Sequence, residues 1–317
     1  MSDCVICGSS VVSKEFIVKE MMFGTKDLFT YLECGDCGCL RIKDLPVDLV
    51  KYYPDNYYSF KNTKSNPLKS YLISLRDKQS IGFNNLLGKI LTYRFPASSH
   101  IKILKFINPN LGLKILDVGS GVGDKLLALR RIGFTRLLGI DPYIEEDINY
   151  KNNILVIKKS LSEIEDSFDL ILFNHSLEHM EDPLSVLNEV QKKITTNSFV
   201  IIRLPVAGGF AWRCYGSDWV QIDAPRHIFI PTRKSMIILA ERCGFRVVKT
   251  LYDSSSFQFF ASEQYQKGIP LTSSQSYSVN SKKSIFTKKE INDFALRSEK
   301  LNAEEDGDQA CFILKKN

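Results

Sequence analysis

The stretch Ile115-Leu116-Asp117-Val118-Gly119-Ser120-Gly121-Val122-Gly123-Asp124 constrains this chain more than any other. An apolar run from Leu113 to Val118 reads as a buried parallel strand. It ends at three glycines spaced two apart. A helical pattern follows through Leu126, Leu127, Leu129 and Ile132 and stops at Gly133. Strand, glycine turn and helix together make a nucleotide-type cofactor site. The glycines let a ligand approach the backbone, and the helix N-terminus offers N–H groups that no helical carbonyl takes.

The dinucleotide fingerprint needs a glycine at position 124, where this chain has Asp124. That disfavours a nicotinamide-linked oxidoreductase. The pattern Asp117-x-Gly119-x-Gly121-x-Gly123 instead resembles motif I of the class I S-adenosylmethionine-dependent methyltransferases, a Rossmann-like family. Later strand ends extend the resemblance. A second strand, Leu137 to Ile140, closes on Asp141, placed to accept hydrogen bonds from both ribose hydroxyls. A surface carboxylate or helix cap is the plainer alternative for it. After a third strand, Ile154 to Ile157, the resemblance implies adenine packing at Leu161, with Ser160 where the family often has an acid. A fourth strand ends at Asn174 and runs into His175-Ser176-Leu177-Glu178-His179, before an Asp182-Pro183 helix start. This resembles the family's pattern after strand four. The resemblance therefore implies cofactor contacts from Asp117, Gly119, Ser120, Gly121, Gly123, Asp141, Leu161, Asn174 and His175. For His175 a scaffold contact and a catalytic one stand level.

The N-terminus carries a separate signal. Cys4-x-x-Cys7 and Cys34-x-x-Cys37 have the spacing of a four-thiolate tetrahedral zinc site. Gly8 and Gly38 each follow the second cysteine of a pair. Strand-like sequence lies between, over Glu15 to Val18 and Leu28 to Leu32. The expectation is a zinc ribbon over 1–50, with Cys4, Cys7, Cys34 and Cys37 as ligands and Cys39 as a spare. A closed site of this kind is structural, standing in for a core that so short a segment can hardly build. An aromatic joint follows (Tyr52, Tyr53, Tyr57, Tyr58) within a linker of helices over 51–109.

Past the fourth strand, a fifth from Phe199 to Leu204 stops at Pro205. The segments 205–231 and 256–307 read as lid and cap insertions. The first holds Trp212, Trp219 and Asp223-Ala224-Pro225-Arg226-His227. The helix from Thr232 to Arg242 and the strand from Phe245 to Leu251 continue the sheet. A last strand, Ala310 to Leu314, is expected antiparallel at its edge. The fold class is thus α/β, a Rossmann-like seven-stranded methyltransferase sheet over 110–255 plus 308–317.

Composition sets the bounds. At 317 residues there is room for a full domain and a smaller one. A net charge of +6 suits an anionic small-molecule or glycan substrate and is too weak to imply nucleic acid. No apolar run reaches the roughly 20 residues of a membrane helix. Without a leader-like start, the expected compartment is the cytoplasm, where the eight cysteines are thiols or metal ligands.

For methyl transfer to a hydroxyl, histidine is the natural base near neutral pH. His179 and His227 are the candidates, while His100 reads as a cap or surface residue. Arg226 and Arg213 could clamp an anion, or pair with Asp223 and Asp218. Ribbon, tyrosine joint and Pro-Arg-His segment together resemble bacterial enzymes of surface-polysaccharide and deoxysugar pathways, among them sugar C-methyltransferases. Those carry a Glu-His pair where this chain has Arg226-His227, and a further large C-terminal domain where this sequence stops. O-methylation of a sugar therefore leads C-methylation. A zinc-ribbon RNA or protein methyltransferase is the third reading.

Overall fold

The computed structural model describes residues 3–53, 66–151 and 154–317. The described residues form strands β1 (Val12–Lys19), β2 (Leu28–Cys34), β3 (Leu40–Ile42), β4 (Lys114–Val118), β5 (Arg136–Ile140), β6 (Ile148–Tyr150), β7 (Ile154–Ile157), β8 (Phe168–Asn174), β9 (Ile194–Pro205), β10 (Phe229–Ile230), β11 (Phe245–Tyr252) and β12 (Gln309–Lys316). They build two sheets, one ordered β1-β2-β3-β10 and the other β11-β12-β9-β8-β4-β5-β7-β6.

The larger sheet is the expected α/β type, with two corrections. It has eight described strands, not seven. The additional one, β6, pairs antiparallel with β7. Three residues, none fully buried, give no apolar run from which to predict a strand. The last strand is also not at the edge. β12 lies between β11 and β9, and its first six residues are all buried, as suits a strand with neighbours on both sides. It does run antiparallel. The N–H of Val206, past the end of β9, donates to the carbonyl of Asp308 before β12, while Lys316 at its far end reaches Gln191 before β9.

The chain divides into two compact units. One contains the described part of 55–176 with Asn188–Arg203 and Ile313–Asn317. Its centre is β4, paired parallel with β5 on one side and β8 on the other. Ile115 and Leu116 of β4 are fully buried, so the glycine loop begins where a rigid strand ends. A helix over Pro67–Ser80, capped by Asn66, lies within the linker expected to hold helices.

The other unit joins the described part of 1–54 with Leu177–Leu187 and Leu204–Phe312. Here the hairpin β1–β2 is extended by β3, and β3 by β10, which begins two residues after His227. Trp212, Trp219, Phe259 and Tyr31 lie in its apolar core. Helix Arg233–Arg242 is tied to the cysteine knuckles. Its capping residue Thr232 donates its hydroxyl hydrogen to the Cys37 carbonyl, and Arg242 donates to the carbonyl of Ile6. Of the tyrosine cluster, Tyr52 and Tyr53 are described. Tyr57 and Tyr58 lie outside the described residues.

Candidate active site

In the first unit, the loop after β4 takes the conformation its glycines permit. Gly119, Gly121 and Gly123 all have positive φ, at 70°, 52° and 83°. Space forbids a side chain as well. A Cβ on Gly119 would lie 2.5 Å from the Cβ of Ser176. The N–H groups of Gly119 and Ser120 both donate to the Ile140 carbonyl at the end of β5. Asp141, just beyond, accepts from the N–H of Gly121 and of Tyr143 at 2.9 Å each. Its carboxylate thus shapes the glycine loop. The sequence suggested a ribose contact, and a carboxylate has lone pairs for both tasks.

Two acceptor atoms stand out at the ends of neighbouring strands. Asp117 Oδ2 and Asn174 Oδ1 are buried and make no hydrogen bond. Burial raises the Asp117 carboxyl to about 7, with Lys125 opposing and the charge of Asp141 adding. Unsatisfied buried acceptors call for a donor or a cation. A glycine cradle with such acceptors at its rim fits S-adenosylmethionine, whose ammonium supplies N–H donors and whose sulfonium supplies positive charge. His175, with φ +53°, holds its N–H on the Arg203 carbonyl and its Nε2 2.7 Å from the Arg203 guanidinium. Its ring nitrogen is engaged by the next strand, which suits a scaffold contact. Leu161 is buried, whereas the Ser160 hydroxyl donates to Glu163 in a capping box. His100 lies in a short helix with burial and nearby cations lowering it to about 3, so it is neither a cap nor charged.

The second unit brings His179 and His227 together, ring centroids 4.8 Å apart. His179 Nδ1 is 2.8 Å from the Arg226 carbonyl, and His227 Nδ1 is 2.8 Å from that of Gln221. A carbonyl cannot donate, so each Nδ1 carries a proton, and Nε2 is the nitrogen that holds the lone pair of the neutral ring. The Tyr53 hydroxyl lies 3.2 Å from His179 Nδ1. Burial lowers the pKa of His179, and the neighbouring His227 adds to that. Glu178, fully buried, sets Oε1 3.9 Å from His227 Nε2. The smaller sheet fixes this cluster. Ile228 donates its N–H to the Glu178 carbonyl, Ile42 of β3 to that of Ile228, and the Tyr31 hydroxyl to that of His227.

Neither arginine matches an anion clamp. Arg226 is fully buried and donates to Asp223 through Nε and Nη2, to Glu20 through Nη2, and to the Tyr52 carbonyl. Burial pushes the Asp223 carboxyl up, but Arg226 outweighs it and holds the group below its ordinary range. Arg213 is exposed and forks onto Asp306, not Asp218. Sequence reasoning missed Glu178 as a member of the cluster, although Leu-Glu-His placed it next to His179. It had no signal for Glu20, which meets Arg226 from 206 positions away.

At the N-terminus the four expected sulfurs converge. Sγ of Cys4 and Cys37 lie 3.6 Å apart, as do those of Cys7 and Cys34, and all four are within 4.8 Å of one another. Cys39 is buried, with its Sγ toward the Leu40 carbonyl and its side chain against Cys4, and is not one of the four converging sulfurs.

Comparison with known proteins adds the family. A family model described as "Methyltransferase domain" matches residues 90–250, half of the chain. Among curated proteins, the tRNA U34 carboxymethyltransferase of Proteus mirabilis is 23% identical over 217 residues. The match covers 59% of this chain and 66% of that protein. The enzyme of the same name from Campylobacter hominis is 21% identical over 234 residues, covering 70% of this chain and 79% of that one. The Psychromonas ingrahamii protein of that name is matched over 48% of its length, so the chain spans less than two thirds of the first two relatives. Among solved structures, an S-adenosylmethionine-dependent methyltransferase from Archaeoglobus fulgidus aligns with a TM-score of 0.42 at 19% identity. It covers 72% of this chain and 99% of its own. One from Mesorhizobium loti gives 0.41 at 14%, covering 69% and 99%. Among the described residues no helix is long and apolar enough to cross a membrane. The family match over 90–250 shows that the chain belongs to the methyltransferase-domain family.

Proposed function

We propose that the enzyme methylates a hydroxyl of an anionic sugar, carried on a nucleotide or in a surface glycan. The observation that supports this is the histidine pair. His179 and His227 both have Nδ1 engaged by backbone carbonyls, and His227 sets its Nε2 3.9 Å from the Glu178 carboxylate. Such a group suits an acceptor that must lose a proton as it is alkylated. Glu178 and His179 come four and five residues after β8 ends at Asn174, and in open α/β sheets ligands bind outside the strands' carboxyl ends.

The bound cofactor supplies a methyl group on a sulfonium, which leaves as a neutral thioether. The chain's own residues bind and orient. Asp117 and Asn174 accept from the cofactor's cationic groups, the glycine loop admits its backbone-facing edge, and Asp141 takes the ribose hydroxyls. His175 keeps the end of β8 in place through Arg203. Leu161 packs the adenine. The acceptor hydroxyl gives its proton to Nε2 of His179 or His227 as its oxygen bonds to the methyl carbon. In this reading the segments 205–231 and 256–307 form the acceptor's lid and cap.

The four cysteines hold a structural zinc in this reading. Zn–S bonds of about 2.3 Å in a tetrahedron put sulfurs roughly 3.8 Å apart, close to the observed 3.6 Å pairs. Metal analysis of the purified chain should find zinc, and Cys34→Ser should lose it together with the folded ribbon unit. A Cys34→Ser protein that keeps its zinc would refute the assignment.

A second reading has support from the relatives, whose printed name says that they act on tRNA. Labelled cofactor offered to nucleotide sugars, lipid-linked glycans and bulk tRNA separates the two. Label is expected in a sugar fraction, and His179→Ala or His227→Ala should reduce it by about 10²–10⁴-fold. Label in tRNA alone would discard the sugar acceptor. Undiminished transfer in both variants would discard the bases.

A further inference from the structure

The cluster beneath the acceptor reading carries more than a base requires. Glu178, His179 and His227 each offer one ligand atom, and those atoms all lie within 4.8 Å of one another. We infer that Glu178, His179 and His227 seat a divalent transition-metal ion, separate from the four cysteines, which takes the acceptor's oxygen. The inference rests on the proposed hydroxyl acceptor and changes how its proton is lost.

Three observations carry it. The donor set is two imidazoles and one carboxylate, the combination that suits manganese, iron, cobalt or zinc with coordination positions left open. Both histidines spend Nδ1–H on backbone carbonyls, those of Arg226 and Gln221, which fixes Nε2 as the donor nitrogen. That is the supporting shell metal-ligating histidines characteristically have, because it locks both tautomer and ring orientation. The other nearby carboxylate, Asp223, is committed to the Arg226 fork. Glu178, fully buried, is the carboxylate whose oxygen lies within 4.8 Å of a ring nitrogen of each histidine.

The spacing is close to what an ion needs. His227 Nε2 and Glu178 Oε1 are 3.9 Å apart. Bonds of about 2.1 Å place ligand atoms roughly 3.0–3.4 Å apart, so this pair closes with under about 1 Å of side-chain movement, and the full set with under about 2 Å. On the ion, an acceptor hydroxyl becomes more acidic. It releases its proton to water, its oxygen bonds to the methyl carbon, and the carbon–sulfur electron pair stays on sulfur.

The test uses the full chain and Mn²⁺, which thiolates bind poorly. Paramagnetic resonance of the free ion counts what is bound. Wild-type protein should take up about one Mn²⁺ per chain, and E178Q and H227Q should bind at least tenfold more weakly at an unchanged unfolding midpoint. Absent uptake by the wild type, or equal uptake by both variants, overturns the inference. Methyl transfer after passage over a chelator should fall at least tenfold and return with added Mn²⁺. Full transfer in chelator would overturn the ion and leave the hydroxyl reading standing. Mn²⁺ uptake lost in both variants, with label found only on tRNA bases, would keep the ion seat and discard the proposed acceptor.

Discussion

The loop at 117–124 and the cluster at 178–179 and 223–227 solve positioning in opposite ways. The loop is local. One strand, three glycines and the first turn of one helix set it, and its nearest braces, Asp141 and Ser176, stand at neighbouring strand ends. The cluster is assembled. Its histidines are held by the Arg226 and Gln221 carbonyls, that segment by β3, and its arginine by Glu20 just past β1. Backbone conformation carries the first, and long-range packing carries the second. Mutations should therefore damage them in different currencies, affinity in one and stability in the other.

The largest expected effect is at Arg226. Replacing it with alanine leaves the carboxylates of Glu20 and Asp223 buried without their cation. Breaking a buried ionic network from one side costs about 3–5 kcal/mol. Urea unfolding of Arg226→Ala should show that loss, while cofactor affinity, set by the loop, stays as it was. A variant of normal stability would show that the cluster is not built on this ion group.

How much of this was readable follows the same division. The glycine spacing after an apolar strand leaves few foldings open, so the loop and Asp141 could be named from residues alone. His179 and His227 could be named as a pair, because few histidines were available and two followed suggestive segments. What could not be read was what surrounds them. Arg226 looked like an anion clamp because its partner Glu20 lies far away in sequence, and nothing in Val18-Lys19-Glu20-Met21 marks a buried carboxylate. β6 was missed because three half-exposed residues carry no period. The place of β12 was misjudged because a sequence gives a strand's apolar run but not its neighbours.

The next effect belongs to the loop. Gly119→Ala asks a residue with a Cβ to hold φ +70° against Ser176. Strain of this kind costs about 1–3 kcal/mol, or roughly 5- to 150-fold in cofactor Kd. Calorimetric titration reads it. An unchanged Kd would mean that the close approach of Gly119 is not what the cofactor needs. A smaller effect is expected from pH. Asp117 ionises at about 7 because burial favours its neutral form. A cationic ligand favours the carboxylate, so binding releases a proton below that pH, and affinity rises with pH and levels off above it. Between pH 6 and pH 8 the gain should be about tenfold, and Asp117→Asn should flatten it. The sign for folding is opposite. With the folded pKa above the usual carboxylate value, this group's contribution to stability is present at low pH and is lost as pH rises through about 7. A cofactor affinity that falls with pH would contradict this placement of Asp117.

The smallest effect sharpens the comparison most, because it holds residue type constant. Arg213 and Arg226 belong to the same segment, and each forks onto a carboxylate with bonds of 2.6–3.0 Å. They differ in surroundings. The Arg213 side chain is 55% exposed and that of Arg226 is 0%. Water already solvates the Arg213–Asp306 pair, so removing one partner strands no buried charge. Arg213→Ala should change unfolding free energy by about 0–1 kcal/mol, with most of that change lost in added salt, because exposed pairs are screened. Methyl transfer should be unaltered. If Arg213→Ala instead abolished transfer at normal stability, that guanidinium would be an acceptor contact after all. The fork onto Asp306 would then be a pairing that the acceptor's anionic group displaces.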